Sequence, residues 1–247
     1  MAIHALSLCS GIGGLDLGLK VGCPGFRTVC YVEREAYAAA TLVARMEESS
    51  LDKAPIWDDV ATFDGKPWRE NVDIILAGYP CQPFSQAGTR KGTKDERHLW
   101  PHISRIIKET KPEICFFENV ARHLTNGFEE IWRDLRQMGF EVEAGIYSPC
   151  EAGAPHLRRR LFILAYASGA RLERYDIEEV ASPPRRTRRP HFARPNWWNS
   201  EPGMERVANG IPNRLDRLRC LGNAVVPAVV THAWRHLLQT AREGMNR

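Results

Sequence analysis

The stretch IHALSLCSGIGG, residues 3 to 14, joins an apolar run of strand length to a turn holding three glycines. Ile3 to Leu8 reads as a strand, Ser10-Gly11-Ile12-Gly13-Gly14 as the turn, and a helix begins near Leu15. Glycines at such a turn let the chain reverse sharply and bring backbone amides close to a ligand. A second strand, Thr28 to Val32, ends at Glu33. It lies about 20 residues further on, where a carboxylate can accept hydrogen bonds from ribose hydroxyls. A dinucleotide fingerprint would need GxGxxG, but counted from Gly11 the third glycine falls on Asp16, and counted from Gly13 the second falls on Leu15. The glycine turn therefore suits a nucleoside without a pyrophosphate better than it suits a dinucleotide. S-adenosylmethionine is such a ligand.

Outward from this opening, apolar runs of strand length recur at Val72 to Ala77, Glu113 to Phe117, Phe140 to Tyr147 and Arg160 to Tyr166. Helical spacing of apolar residues fills Glu35 to Met46, Trp100 to Thr110 and Phe128 to Met138, the last closed by Gly139. Such alternation predicts an α/β fold, a doubly wound and mostly parallel sheet covered by helices on both faces. After Ser168 the pattern breaks, and residues 181 to 203, rich in Pro, Arg and Trp, read as loop. A helix is predicted over Ala224 to Leu238, opened by Gly222-Asn223 and with Pro227 near its first turn. The expected organisation is a catalytic domain over 1–167, a short recognition region over 168–216, and a segment over 217–247 that completes the first domain.

A chain of 247 residues can bury one sizeable core, and its 43% apolar and 26% charged residues are those of an ordinary globular protein. No apolar run reaches the roughly 18 residues of a membrane span. The N-terminus moves straight into strand-like sequence without a basic leader, which argues for a cytoplasmic site. Seven cysteines without paired two-residue spacing disfavour both a disulfide framework and a zinc ribbon. The net charge of +4 is modest, but PPRRTRRPHFARPNWW, from Pro183 to Trp198, holds five arginines and no acid. HLRRR, residues 156 to 160, is a second cluster. Arginine mixed with His, Phe and Trp combines phosphate contacts with stacking and points to nucleic acid.

Cys81 follows the strand ending at Ala77, between Pro80 and Pro83, and Glu118 ends the strand EICFF. In a parallel sheet both would face the crevice at the carboxyl ends of the strands. The prolines hold the backbone, and a thiol is an effective nucleophile even when only partly ionised. Arg158 and Arg160 precede the strand LFILAY and are expected to reach the crevice only through the turn before it.

Taken in order behind the SGIGG turn, GYPCQPFSQAG, FENV, the RxR of LRRR and GNAVVP resemble the cytosine-5 DNA methyltransferases. The match covers roughly residues 3 to 167 and 216 to 238. The resemblance implies a Rossmann-like methyltransferase fold with a small, loop-rich target-recognition region, of a compact bacterial or phage type. It implies S-adenosylmethionine as cofactor and duplex DNA as partner, for a chain acting as a monomer without metal or membrane. Cys81 would add to carbon 6 of cytosine, Glu118 would hold the amino group and ring nitrogen 3, and Arg160 with Arg158 would fix the base. By the same resemblance, cofactor contacts fall on Gly11, Ile12, Gly13, Glu33, Asp59, Val60, Leu99, Asn223 and Val225, with Asp59 reading the adenine amino group. Asn223 near the C-terminus implies that the last helix folds back beside the first strand. The target cytosine would have to leave the stack to be reached. Phe84 to Leu99 looks like the mobile loop that closes over it, with Ser85 and Arg97 against the nucleotide backbone. Arg185, Arg186, Arg188, Arg189, Trp197 and Trp198 are the candidates for groove and backbone contact.

Three departures from the family pattern stand out: Cys9 in place of an aromatic, Ser7 in place of a common Asp, and His156 in place of Gln. The recognition region, Ser168 to Asp216, is also short. Three rival readings are a catalytically silent DNA-binding member, an RNA methyltransferase on the same scaffold, and a nicotinamide dehydrogenase. The intact Cys81, Glu118 and Arg160 oppose the first, QPFSQ after the cysteine opposes the second, and the glycine count opposes the third.

Overall fold

Strand β1 (Ile3–Leu8) alternates its side chains between two cores: Ile3 and Ala5 enter one, Leu6 and Leu8 the other. The same alternation sends Ile74 and Leu76 of β4 (Ile74–Ala77) to the first core and Ile75 and Ala77 to the second. Strands buried on both faces need continuous apolar runs, which is why these segments read as strands at all. The computed structural model describes residues 2–80, 99–154, 156–175 and 213–245. It adds β2 (Phe26–Val32), β3 (Ile56–Trp57), β5 (Ile114–Val120), β6 (Phe140–Tyr147) and β7 (Arg160–Ala167).

The seven strands lie in the order β3-β2-β1-β4-β5-β7-β6. All pairs from β3 to β5 are parallel, while β7 runs antiparallel to both β5 and β6. The expected doubly wound, mostly parallel sheet of a Rossmann-like fold is thus present. Helices α1 (Gly14–Gly22) and α6 (Pro227–Met245) cover the first core. On the other face lie α3 (Trp100–Thr110) and α4 (Phe128–Gln137), with α2 (Ala36–Glu47) closing a smaller cluster around Tyr31, Leu42 and Leu51.

The C-terminal helix differs from its expected form. Gly222 and Asn223 close a separate helix, α5 (Arg214–Asn223), instead of opening the last one. Ala224 is extended (φ −65°, ψ 148°), and α6 begins at Pro227, whose fixed φ and missing N–H suit a first helical position. The ordered core also continues past β7, since Leu172 and Tyr175 are fully buried. Arg174 there pairs with Asp73 and Glu113 at the amino ends of β4 and β5, both at 3.3 Å.

Helix α1 meets Val225 and the α6 that follows it along Gly14, Gly18 and Gly22, four residues apart and so on one face. A Cβ on Gly14 would lie 2.8 Å from Val225 Cγ1, one on Gly18 2.4 Å from Val230 Cβ, and one on Gly22 2.9 Å from Thr231 Cγ2. The Thr231 hydroxyl donates to the Gly18 carbonyl at 2.7 Å. The last helix therefore does fold back beside the first strand and its turn.

Candidate active site

Three parallel strands, β1, β4 and β5, end on one edge of the sheet, the edge where ligands bind in such folds. Ala77 pairs with Phe117, so the exits of β4 and β5 leave side by side. A Cβ built on Gly78 would stand 3.6 Å from Glu118 Oε2. From there the chain runs through Tyr79 and Pro80 to Cys81, which lies outside the described residues, as do Ser85, Arg97, Arg185, Arg186, Arg188, Arg189, Trp197 and Trp198.

Glu118 is 8% exposed, and Arg160 Nε meets its Oε1 at 2.8 Å. This contact follows from strand direction. Because β7 is antiparallel to β5, it starts where β5 ends, and Arg160, its first residue, enters the crevice from the strand itself. That corrects, for Arg160, the expectation that both arginines reach the site only through the preceding turn; Arg158 does lie in that turn. Burial pushes the Glu118 carboxyl up from 4.5 to about 7, against the opposing attraction of Arg160 and Arg158. Near neutral pH this acid is poised between its donating and accepting forms.

A carboxyl raised on folding binds its proton more tightly in the folded state, so its contribution to stability is full below about 4.5 and is lost as pH rises towards about 7. At about 1.4 kcal/mol per unit, this is worth at most about 3 kcal/mol. Urea titrations of the wild type and Glu118→Gln at pH 5 and pH 8 should show the wild type losing stability relative to the variant as pH rises. An unchanged difference would contradict the burial argument.

Arg158 has a different place from the one expected. Its guanidinium donates to the carbonyls of Leu221, at 3.4 Å, and Gly222. These are carbonyls at the end of α5 that the helix cannot satisfy itself. Arg158 is therefore a clasp between the RxR turn and the segment carrying Asn223 and Val225, and it stands close enough to Glu118 to attract its charge. Arg160 Nη1 donates to the Arg159 carbonyl at 3.0 Å, which holds the head group in place beside Glu118.

Residues not singled out in the sequence complete this edge. Asn119 Nδ2 donates to the Tyr79 carbonyl at 3.1 Å, and the Tyr79 hydroxyl lies 3.2 Å from His123 Nε2. Asp16 is 1% exposed and accepts from Ser7 at 3.0 Å and Thr28 at 2.9 Å, fastening α1 to β1 and β2. Burial raises its carboxyl to about 6. The one available signal was an acid set among apolar residues at helical spacing in GLDLGL.

The cofactor candidates gather at the end of β1. Gly11 (φ 56°) and Gly13 (φ 77°) take left-handed conformations; a Cβ on Gly11 would meet nothing within 4 Å, so the turn is open there, while one on Gly13 would lie 2.5 Å from Leu51 Cδ1. Gly11 N donates to Glu33 Oε2 at 2.6 Å and Glu35 N to Oε1 at 2.7 Å, aiming the carboxylate at the turn. Asp59 Oδ1 accepts from Ala61 N at 2.8 Å. Ile12 is anchored by Arg45, which donates to its carbonyl. Cys9 lies among these groups, its thiol pushed up to about 12 by burial and then by the Glu33 and Asp59 charges. Val60 is buried, Leu99 packs against the same core at the start of α3, and Val225 lies against Gly14. Asn223 is exposed at the end of α5. Two carboxylate acceptors, apolar Val60 and Leu99, and an open glycine turn fit a nucleoside, whose hydroxyls and amino group are donors.

Among known proteins, Type II methyltransferase M.AplI of Arthrospira platensis is 34% identical over 164 residues, 65% of this chain and 45% of that protein. Type II methyltransferase M.CviJI of Paramecium bursaria Chlorella virus IL3A is 30% identical over 244 residues, 96% of this chain and 60% of that protein. The chain spans about half the length of the curated relatives it matches. Among solved structures, S. pombe Dnmt2 methyltransferase superposes with a TM-score of 0.56 at 25% identity, over 67% of this chain and 51% of that one. The Spodoptera frugiperda DNMT2 E260A/E261A/K263A mutant shares the fold with a TM-score of 0.57 at 22% identity, over 67% of this chain and 50% of that one. Residues 3–198 match the family described as C-5 cytosine-specific DNA methylase, and the chain belongs to it.

Proposed function

We propose that this chain transfers a methyl group from S-adenosylmethionine to carbon 5 of a cytosine flipped out of double-stranded DNA. The observation that carries the reading is Glu118, buried and raised to about 7, held by Arg160 beside the exit that leads to Cys81. Carbon 5 of cytosine is a weak nucleophile. The Cys81 thiolate forms a bond to carbon 6 and drives an electron pair into the ring. Glu118, in its protonated form, donates to ring nitrogen 3 and stabilises that electron-rich adduct. Arg160 orients the carboxyl and would fix the base through its carbonyl oxygen. S-adenosylmethionine, when bound, would supply the electrophilic methyl group to carbon 5 and leave as S-adenosylhomocysteine. Water then takes the carbon 5 proton, the electron pair of that C–H bond restores the carbon 5–carbon 6 double bond, and the Cys81 thiolate leaves carbon 6.

Gly11, Ile12, Gly13, Glu33, Asp59, Val60, Leu99, Asn223 and Val225 would hold the cofactor. Glu33 accepts from the ribose hydroxyls and Asp59 from the adenine amino group. Arg158 serves both halves of the site as the clasp on α5. Target choice falls to 168–216 apart from the buried turn Leu172–Tyr175, with Arg185, Arg186, Arg188, Arg189, Trp197 and Trp198 on the groove and backbone. Ser85 and Arg97 would meet the flipped nucleotide. So short a recognition region favours a short target sequence, or recognition that leans on backbone charge.

Bisulfite sequencing of DNA from cells expressing the chain tests activity and target together. The expected result is protected cytosines within one short motif. Unprotected DNA from cells that contain the folded chain would refute the reading.

A further inference from the structure

We infer that His123 is a positioning residue for the nucleophile, acting through the Tyr79 hydroxyl to set the backbone path that delivers Cys81. The inference rests on the function proposed above. Tyr79 stands two residues before Cys81 and is 5% exposed. Among the described residues it is held at three points. Its carbonyl accepts from Asn119 Nδ2 at 3.1 Å. Its ring lies edge-on to Phe117 at 6.1 Å and tilted against Trp100 at 6.1 Å. Its hydroxyl lies 3.2 Å from His123 Nε2, with the two rings also edge-to-face at 5.7 Å.

The His123 ring is 3% exposed, and burial lowers its pKa and so favours the neutral ring. In the tautomer that leaves Nε2 without a proton, Nε2 accepts and the Tyr79 hydroxyl donates. A phenylalanine would fill the same space, so the hydroxyl contributes direction and not volume.

Between Tyr79 and Cys81 the chain has little freedom. The peptide units are planar, Pro80 fixes its own φ, and a residue before proline is confined to extended ψ. Pro80 therefore limits how far the chain leaving Tyr79 can re-aim before position 81.

His123 also shares a short segment with the other half of the chemistry. It sits in the 3₁₀ turn Ala121–Leu124 that directly follows β5, and β5 carries Glu118 and Asn119. One stretch, ENVARH, thus bears the carboxyl and both hydrogen-bonding holds on the approach to the thiol.

The test uses Tyr79→Phe, which removes only the hydroxyl, with His123→Ala and His123→Gln in the full chain. The readouts are single-turnover methyl transfer and the rate of covalent adduct formation with 5-fluorocytosine duplex DNA, at saturating cofactor and DNA. Misplacement by about 1 Å costs on the order of 100-fold. Tyr79→Phe and His123→Ala are expected to slow both rates by about 10- to 100-fold, with KM for cofactor and DNA unchanged. His123→Gln, which can still accept the hydroxyl, should recover much of the loss. Wild-type adduct rates in Tyr79→Phe, with only a lower melting temperature, would overturn the inference and leave a purely structural contact. A wild-type chain that forms no adduct would instead overturn the proposed function, and the inference with it.

Discussion

Cys81→Ala is expected to lower methyl transfer by about 10⁴-fold or more, while cofactor and DNA affinities stay within a few-fold of wild type. The large loss follows from what remains. Without a bond at carbon 6, Glu118 and Arg160 face an aromatic ring whose carbon 5 has no electron pair to offer, and neither group can supply one. Binding survives because the cofactor corner is built from other residues at the end of β1, and the groove candidates lie far along the chain. A tritiated methyl-transfer assay measures the first effect and a filter-binding titration the second. Turnover within tenfold of wild type would remove Cys81 from the mechanism.

Gly18→Ala is expected to have the largest effect on stability, a loss of about 3 kcal/mol. In an exposed helix the change would add about 1 kcal/mol of helix propensity. Here the new methyl would lie 2.4 Å from Val230 Cβ, 2.6 Å from its Cγ1 and 2.8 Å from the Pro227 carbonyl oxygen. Backbone and a β-branched stem cannot swing aside, so α6 must move as a body. Against a total of roughly 5–15 kcal/mol for a domain, that is a large fraction. Gly244→Ala, also in α6 but with nothing within 4 Å of its added Cβ, supplies the control and should be neutral or slightly stabilising. Urea denaturation of both variants decides the matter. A Gly18→Ala protein as stable as wild type would show that α1 and α6 are less tightly seated than described. Since the displaced helix begins just after Val225, weaker cofactor binding should accompany the loss.

Much of this architecture was legible because burial on both faces leaves a plain record. Ile74 to Ala77 and Leu161 to Ala165 are apolar without interruption, and both lie in strands of the sheet. Strand β3 has only two residues, Ile56 and Trp57, too few to show a period. Direction is harder to read than existence. A strand signal is the same forwards and backwards, so the antiparallel course of β7 was hidden, and with it the direct entry of Arg160 beside Glu118. Long-range polar pairs leave no local trace either. Ser7, noted only as a departure from the family pattern, donates to Asp16, which was noted only as a failed glycine position. His123 and Tyr79 are 44 positions apart, with nothing in either neighbourhood to announce the pair. The glycines at 14, 18 and 22 were visible at four-residue spacing, but spacing alone does not name the helix they face.

That helix is the last one, and this orders events during synthesis. The Gly18 carbonyl waits for a hydroxyl 213 positions later, and the apolar face beneath α1 has no cover until Val229, Val230, Ala233, Trp234 and Leu237 arrive. A ribosome adding about 5–20 residues per second leaves that face open for roughly 10 to 40 seconds, and burying α6 must wait until those residues have been made. The sheet can begin to pair earlier, from β1, β2 and β4, but the first core can close only once α6 has emerged. Folding yield in the cell should therefore depend on how well this uncovered stripe is shielded while the chain is still attached, and on an intact C-terminal helix once it is free.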